Sequence, residues 1–78
     1  PGRLAKWLIE RAERTGTPMN DGLLLDLARS QGELAAEIGT TRPTLNRALR
    51  SFEEQGIIAT DGPKVTILQM DKLIAFTN

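Results

Sequence analysis

Residues 30–52 read SQGELAAEIGTTRPTLNRALRSF, a pattern of two short helices around a tight turn. Ser30 followed by Glu33 has the form of a capping box, in which the serine oxygen accepts from the Glu33 backbone N–H and the glutamate reaches back. Leu34 and Ile38 then lie at i, i+4. Gly39 is placed to end this helix, because glycine accepts the left-handed backbone that a helix C-terminus often needs. Thr40 and Thr41 follow, and either hydroxyl can cap the next helix. Pro43 falls in that helix's first turn, where its missing N–H costs little. Leu45, Ala48, Leu49 and Phe52 recur at i, i+3, i+4, i+7 as one stripe to be buried. The spacing predicts a helix-turn-helix.

The outer side of the second helix carries the chemistry. At about 3.6 residues per turn, the face opposite Leu45, Leu49 and Phe52 holds Pro43, Arg47, Arg50 and Glu54. Asn46 and Thr44 flank it, and Arg42 projects from the first turn. Arginine reaches guanine O6 and N7 with two hydrogen bonds, and asparagine does the equivalent for adenine. A helix-turn-helix lays the N-terminal half of its second helix against base edges in the major groove. Residues 42–50 therefore suit duplex DNA. The competing reading is an ordinary solvated helix face. The cap, Gly39 and the paired threonines favour the first.

At 78 residues the chain is one domain, and it buries roughly 60–65% of its unfolded surface. Ten Lys plus Arg cancel ten Asp plus Glu, whereas nucleic-acid binders often carry a basic excess. The distribution matters more. Residues 40–52 hold Arg42, Arg47 and Arg50 with no acid, while acids gather at Glu33, Glu37, Glu53, Glu54, Asp21 and Asp26. This is a basic stripe on a neutral body. With no cysteine there is no disulfide or thiolate metal site, and with no histidine the usual general base and commonest metal ligand are missing. Glu33 and Glu37 share a helix face and read as solvated, as do Glu53 and Glu54. Without a nucleophile–base pairing, catalysis is not expected. No apolar run approaches the roughly 18 residues of a membrane span, and no signal peptide is visible, so a cytoplasmic location is expected.

Around the motif the pattern is simpler. Residues 3–14 predict a helix with Leu4, Ala5, Leu8, Ile9 and Ala12 on its apolar side and Trp7 at the border, an edge aromatic rather than a ligand platform. Residues 15–22, TGTPMNDG, are rich in turn formers and are expected as a loop, either a connector or an exposed protein-contact loop. Residues 23–28 suit a short strand. Gln55-Gly56 stops the second motif helix. Residues 57–60 and 65–68 predict a hairpin turning at Asp61-Gly62, prolonged by Pro63, with Lys64 beside the turn. Residues 71–76 suggest a short closing helix. The expected fold is α+β, a winged helix-turn-helix: a three-helix core with a small antiparallel β-hairpin wing.

The run GELAAEIGTTRPTLNRALRSFEEQGII, with KVTILQMDKL after it, resembles the C-terminal DNA-binding domain of the Crp/Fnr regulators, bacterial transcription factors related to the catabolite activator protein. The resemblance spans nearly the whole chain. It implies sequence-specific double-stranded DNA binding, with a recognition helix over 42–54 in the major groove, the motif over 30–52 and the wing over 57–68. Carried over position by position, base reading falls on Arg42, Pro43 and Arg47, with Asn46 and Arg50 as further candidates. Phosphate contacts fall on Ser30 and Thr41, with Thr44 near the backbone, and Thr40 and Lys64 complete the expected set. Pro43 departs from the pattern, since the best-known members place a glutamate there. Glutamate can accept from cytosine N4, and proline has no side-chain acceptor. One base-pair position is thus expected to be read differently or not at all.

The resemblance also implies an N-terminal sensor domain and a long dimerisation helix, neither of which fits in these residues. Starting at Pro1-Gly2 rather than methionine, the chain is expected to be a fragment of a longer regulator. No cofactor is expected in this chain, and the effector of the sensor domain is not assigned. The implied partners are a palindromic operator, a second copy in the full-length protein, and RNA polymerase at the loop 15–22. The alternative is a winged-helix protein–protein interaction module without DNA binding. Such a helix would show exposed Leu, Phe or Tyr anchors, whereas residues 42–50 expose Arg, Asn, Thr and Pro.

Overall fold

The computed structural model describes residues 2–77. Their order is α1 (Gly2–Thr15), β1 (Thr17–Met19), β2 (Gly22–Asp26), α2 (Gln31–Ile38), α3 (Arg42–Glu54), β3 (Ile58–Asp61), β4 (Lys64–Ile67) and α4 (Met70–Ala75). The helix-turn-helix is built by its caps. Ser30 Oγ accepts from the Glu33 N–H at 3.2 Å, and the Glu33 carboxylate accepts from the Ser30 N–H at 3.1 Å. At the other end Gly39 has φ 86°, and its N–H donates to the carbonyls of Ala35 and Ala36. The Thr40 N–H donates to Ala35 at 2.9 Å, which completes a Schellman arrangement. Arg3 of α1 donates to the Gly39 carbonyl at 3.0 Å, so the first helix grips the turn. Thr41 then caps α3: its Oγ1 accepts from the Thr44 N–H at 3.4 Å and its hydroxyl donates to Thr44 Oγ1 at 2.9 Å.

The strands form one antiparallel sheet in the order β1-β2-β4-β3. Leu25 stands opposite Val65, and Leu23, Ile67 and Ile58 stand in register across three strands. Residues paired in this way share a face, and Leu25, Val65, Ile67 and Ile58 are all buried. From the helices come Leu4, Leu8, Leu34, Leu45, Leu49, Phe52 and Leu73, closing one core. Phe52 meets Phe76 edge to face, with ring centroids 5.0 Å apart, and α4 packs on α1.

One expectation is corrected. Residues 15–22 are not a loop: Thr15 ends α1, and Thr17–Met19 pairs with Gly22–Asp26 through Asn20-Asp21. The new strand is three residues long, wholly exposed, and contains Pro18. Proline is tolerated there because β1 is an edge strand. The wing hairpin and the short closing helix form as expected: β3 pairs with β4, β4 pairs also with β2 inside the four-stranded sheet, and α4 follows the wing. The wing turn is Gly62-Pro63, with φ 60° at Gly62 as a two-residue hairpin loop with glycine first requires. The Pro63 carbonyl accepts from the Leu27 N–H at 2.9 Å, tying the turn to the end of β2.

Candidate nucleic-acid interface

The inner face of α3 is anchored by Leu45, Leu49 and Phe52, all buried. That anchoring fixes the rotation of the helix and turns the opposite face outward. Arg42, Pro43, Thr44, Arg47 and Arg50 are exposed, and Asn46 is half-buried. None of the three arginines forms an ion pair or side-chain hydrogen bond among the described residues. Their guanidinium donors face solvent, and no acid precedes Glu53 on this helix.

The expected phosphate-contact residues cluster at the helix starts. Ser30 and Thr41 hold the N-caps of α2 and α3 with exposed side chains, Thr44 shares the Thr41 hydrogen bond, and Thr40 is half-buried in the turn between them. Lys64 is exposed at the wing, on the strand pair that ends in the turn. It stands in register with Asp26 on one side and Asp61 on the other, although it makes no ion pair among the described residues. A groove of about 320 Å³ runs between the start of α2, the side of α3 and the wing turn, with Arg29, Gln31, Asn46, Arg50, Thr60 and Pro63 on its walls.

Behind this face lies a corner not expected from the sequence. Glu37 is not simply solvated: it accepts from the indole N–H of Trp7 and pairs with Arg29. The Arg11 guanidinium lies 5.4 Å from the Trp7 ring centroid, within reach of a cation–π contact. The Trp7 hydrogen bond, helped by the charges of Arg29 and Arg11 and opposed by desolvation, holds the Glu37 carboxyl below its ordinary range. Glu33 is likewise lowered, by the backbone N–H and then the hydroxyl of Ser30. Trp7 is half-buried at this junction of α1 and α2, in keeping with an edge aromatic. Sequence reading missed the corner because Trp7 and Glu37 are 30 positions apart. The missed hairpin did leave a signal, the turn formers Asn20-Asp21-Gly22 between two runs able to pair. Among the described residues no group of three or more acidic side chains is placed to hold a metal ion, and no helix is long and apolar enough to cross a membrane.

Comparison with known proteins places this geometry. The Crp-like helix-turn-helix domain matches residues 2–76. The CRP-like cAMP-activated global transcriptional regulator of Mycobacterium tuberculosis is 37% identical over 73 residues, covering 94% of this chain and 33% of that protein. The global nitrogen regulator of a Nostoc species is 34% identical over 65 residues, covering 83% of this chain and 29% of that protein. Among solved structures, the CO-dependent transcription factor CooA from Carboxydothermus hydrogenoformans superposes with a TM-score of 0.92 at 31% identity, over 97% of this chain and 35% of that one. The chain thus spans about a third of the length of the relatives it matches. With its caps, its outward arginines and its wing in this arrangement, the chain belongs to the Crp-like helix-turn-helix domains, the DNA-binding part of the Crp/Fnr family of transcription regulators.

Proposed function

We propose that this domain reads a specific duplex sequence by laying α3 in the major groove, as the module of a longer bacterial regulator. The observation that carries this reading is the exposed set Arg42, Arg47 and Arg50, without side-chain partners among the described residues, on a helix whose inner face is locked in the core. Arg42 and Arg47 read base edges, with Asn46 and Arg50 along the same side. Pro43 offers no side-chain acceptor and leaves its base pair unread by hydrogen bonding. Ser30, Thr40, Thr41, Thr44 and Lys64 contact phosphates and set the register. The mechanism is binding alone, with no bond made or broken.

In the whole protein, two such domains read a palindrome with half-sites one helical turn apart, and the site operates in the cytoplasm. The relatives are about three times longer than this chain, which leaves room for a sensor domain and a dimerisation helix; the effector is not assigned. The β1–β2 hairpin, exposed with Met19 at its end, is the surface offered to RNA polymerase. The deciding experiment is selection of sites from random duplexes using the domain joined to a dimerising segment. A two-fold symmetric site with one weakly specified position per half supports the reading. Failure to enrich any sequence overturns it.

A further inference from the structure

Arg29 lies outside the expected contact set, yet it borders the groove beside the recognition helix as well as the corner behind it. It sits between β2 and α2, where Asp26 Oδ1 accepts from the Ala28 N–H at 3.0 Å and Ala28 takes a left-handed backbone with φ 55°. This tight corner sets Arg29 on the border between two hollows, the groove between α2, α3 and the wing turn and the corner lined by Trp7, Arg11 and Glu37. Its Nε donates to the Leu27 carbonyl at 3.3 Å, and its Nη1 donates to Glu37. Glu37 is in turn held by Trp7. The guanidinium is thereby fixed in place, while Nη2 has no protein partner among the described residues and is not among the buried unsatisfied atoms. A planar guanidinium offers five N–H donors, so it can keep a carboxylate on one edge and take a phosphate on the other. Fixing it beforehand removes much of the ordering cost of a long side chain. The groove wall carries Arg29 and Arg50 against a single acid, Glu53, at the far end of the helix.

From this geometry we propose that Arg29, held by a Glu37 that Trp7 anchors, is a further DNA-phosphate contact at the edge of the groove beside the recognition helix. The inference rests on the DNA-binding reading above. Glu37 both positions Arg29 and offsets part of its charge.

The test is a titration by fluorescence anisotropy on a labelled random-sequence duplex about two helical turns long, repeated across a salt series and with the selected site. Arg29→Ala is expected to weaken both duplexes by the same factor and to reduce the salt slope by a measurable amount short of about one, because Glu37 offsets part of the charge. On raising the salt roughly fourfold, the unaltered domain should then lose about twofold to threefold more affinity than the variant. Arg29→Lys should restore the slope. An unchanged slope in a folded Arg29→Ala variant overturns the proposal, because a purely structural role would leave the slope alone. A collapsed specificity ratio also overturns it, since that marks a base contact. Should Arg29→Ala fail to fold, Glu37→Gln keeps the shape and removes the offsetting charge. It should tighten random-duplex binding severalfold at low salt, and unchanged binding overturns the proposal. Failure of the unaltered domain to bind any duplex would appear before any variant is made, and would overturn the parent reading instead.

Discussion

The three arginines of α3 and three others, Arg3, Arg11 and Arg29, meet opposite fates. Arg3 donates to the Gly39 carbonyl, Arg11 lies over the Trp7 ring, and Arg29 is held by Leu27 and Glu37. Arg42, Arg47 and Arg50 are exposed and have no protein acceptor among the described residues. The side chains are chemically identical, so the difference lies in whether a carbonyl, carboxylate or ring has been brought within reach. In the first group the guanidinium contacts lie within the fold, those of Arg3 and Arg29 tying separate segments together, with one Arg29 nitrogen free among the described residues. In the second the donors wait for acceptors from outside. A chain with zero net charge can therefore still present a cationic face, because three exposed arginines share one helix that carries no acid before Glu53.

The contrast is broken most directly at Arg47. Arg47→Ala should cost about 1–3 kcal/mol of affinity for the selected site and relax one position, with the unfolding midpoint unchanged. A titration against cognate and scrambled duplexes, paired with a thermal melt, checks both halves, and a lowered midpoint would put Arg47 among the structural arginines. The complementary change is in the turn that Arg3 grips. Gly39→Ala places a Cβ at φ 86° and should cost about 1–2 kcal/mol of stability, read by urea unfolding. Arg3→Ala should lose about 0.5–1.5 kcal/mol of stability while leaving the cognate-to-scrambled ratio intact, the reverse of Arg47→Ala.

Acid sharpens the same division. Glu33 and Glu37 both have carboxyls lowered from 4.5 in the folded state. Below 4.5 the unfolded chain takes up protons before the folded one does, so stability rises with pH there. Their contribution is present above 4.5 and is lost as the pH falls through the lowered folded values. Urea midpoints for the unaltered domain and Glu37→Gln should converge as the pH drops through this window. The smallest effect is expected at Lys64. Lys64→Ala should reduce the salt slope by less than about one, because Asp26 and Asp61 flank it in register.

Legibility in the sequence followed the distance between interacting residues. The capping box at Ser30, the Thr41 cap and the left-handed Gly39 were readable because each involves residues within a few positions of one another. The stripe Leu45, Leu49, Phe52 was readable from period alone, although Ala48 at its margin is only half-buried. The strand Thr17–Met19 was not, because three exposed residues including Pro18 carry no alternation and exist as a strand only through pairing with β2. Glu37 read as a solvated acid because its partner Arg29 lies outside its helix and Trp7 lies on another one.

The residues by themselves determined that two capped helices meet at a glycine turn and that one of them has a cation-bearing side. Those outcomes depend on backbone preference and helical period, which operate over a turn or two of chain. Folding in three dimensions decided which arginines are engaged and which are free, made Lys64–Ile67 an inner strand, and assembled the groove beside α3 from three separate segments. Contacts such as Arg3 to Gly39, 36 positions apart, form only once a shared apolar core has brought distant segments together, and no local pattern encodes them.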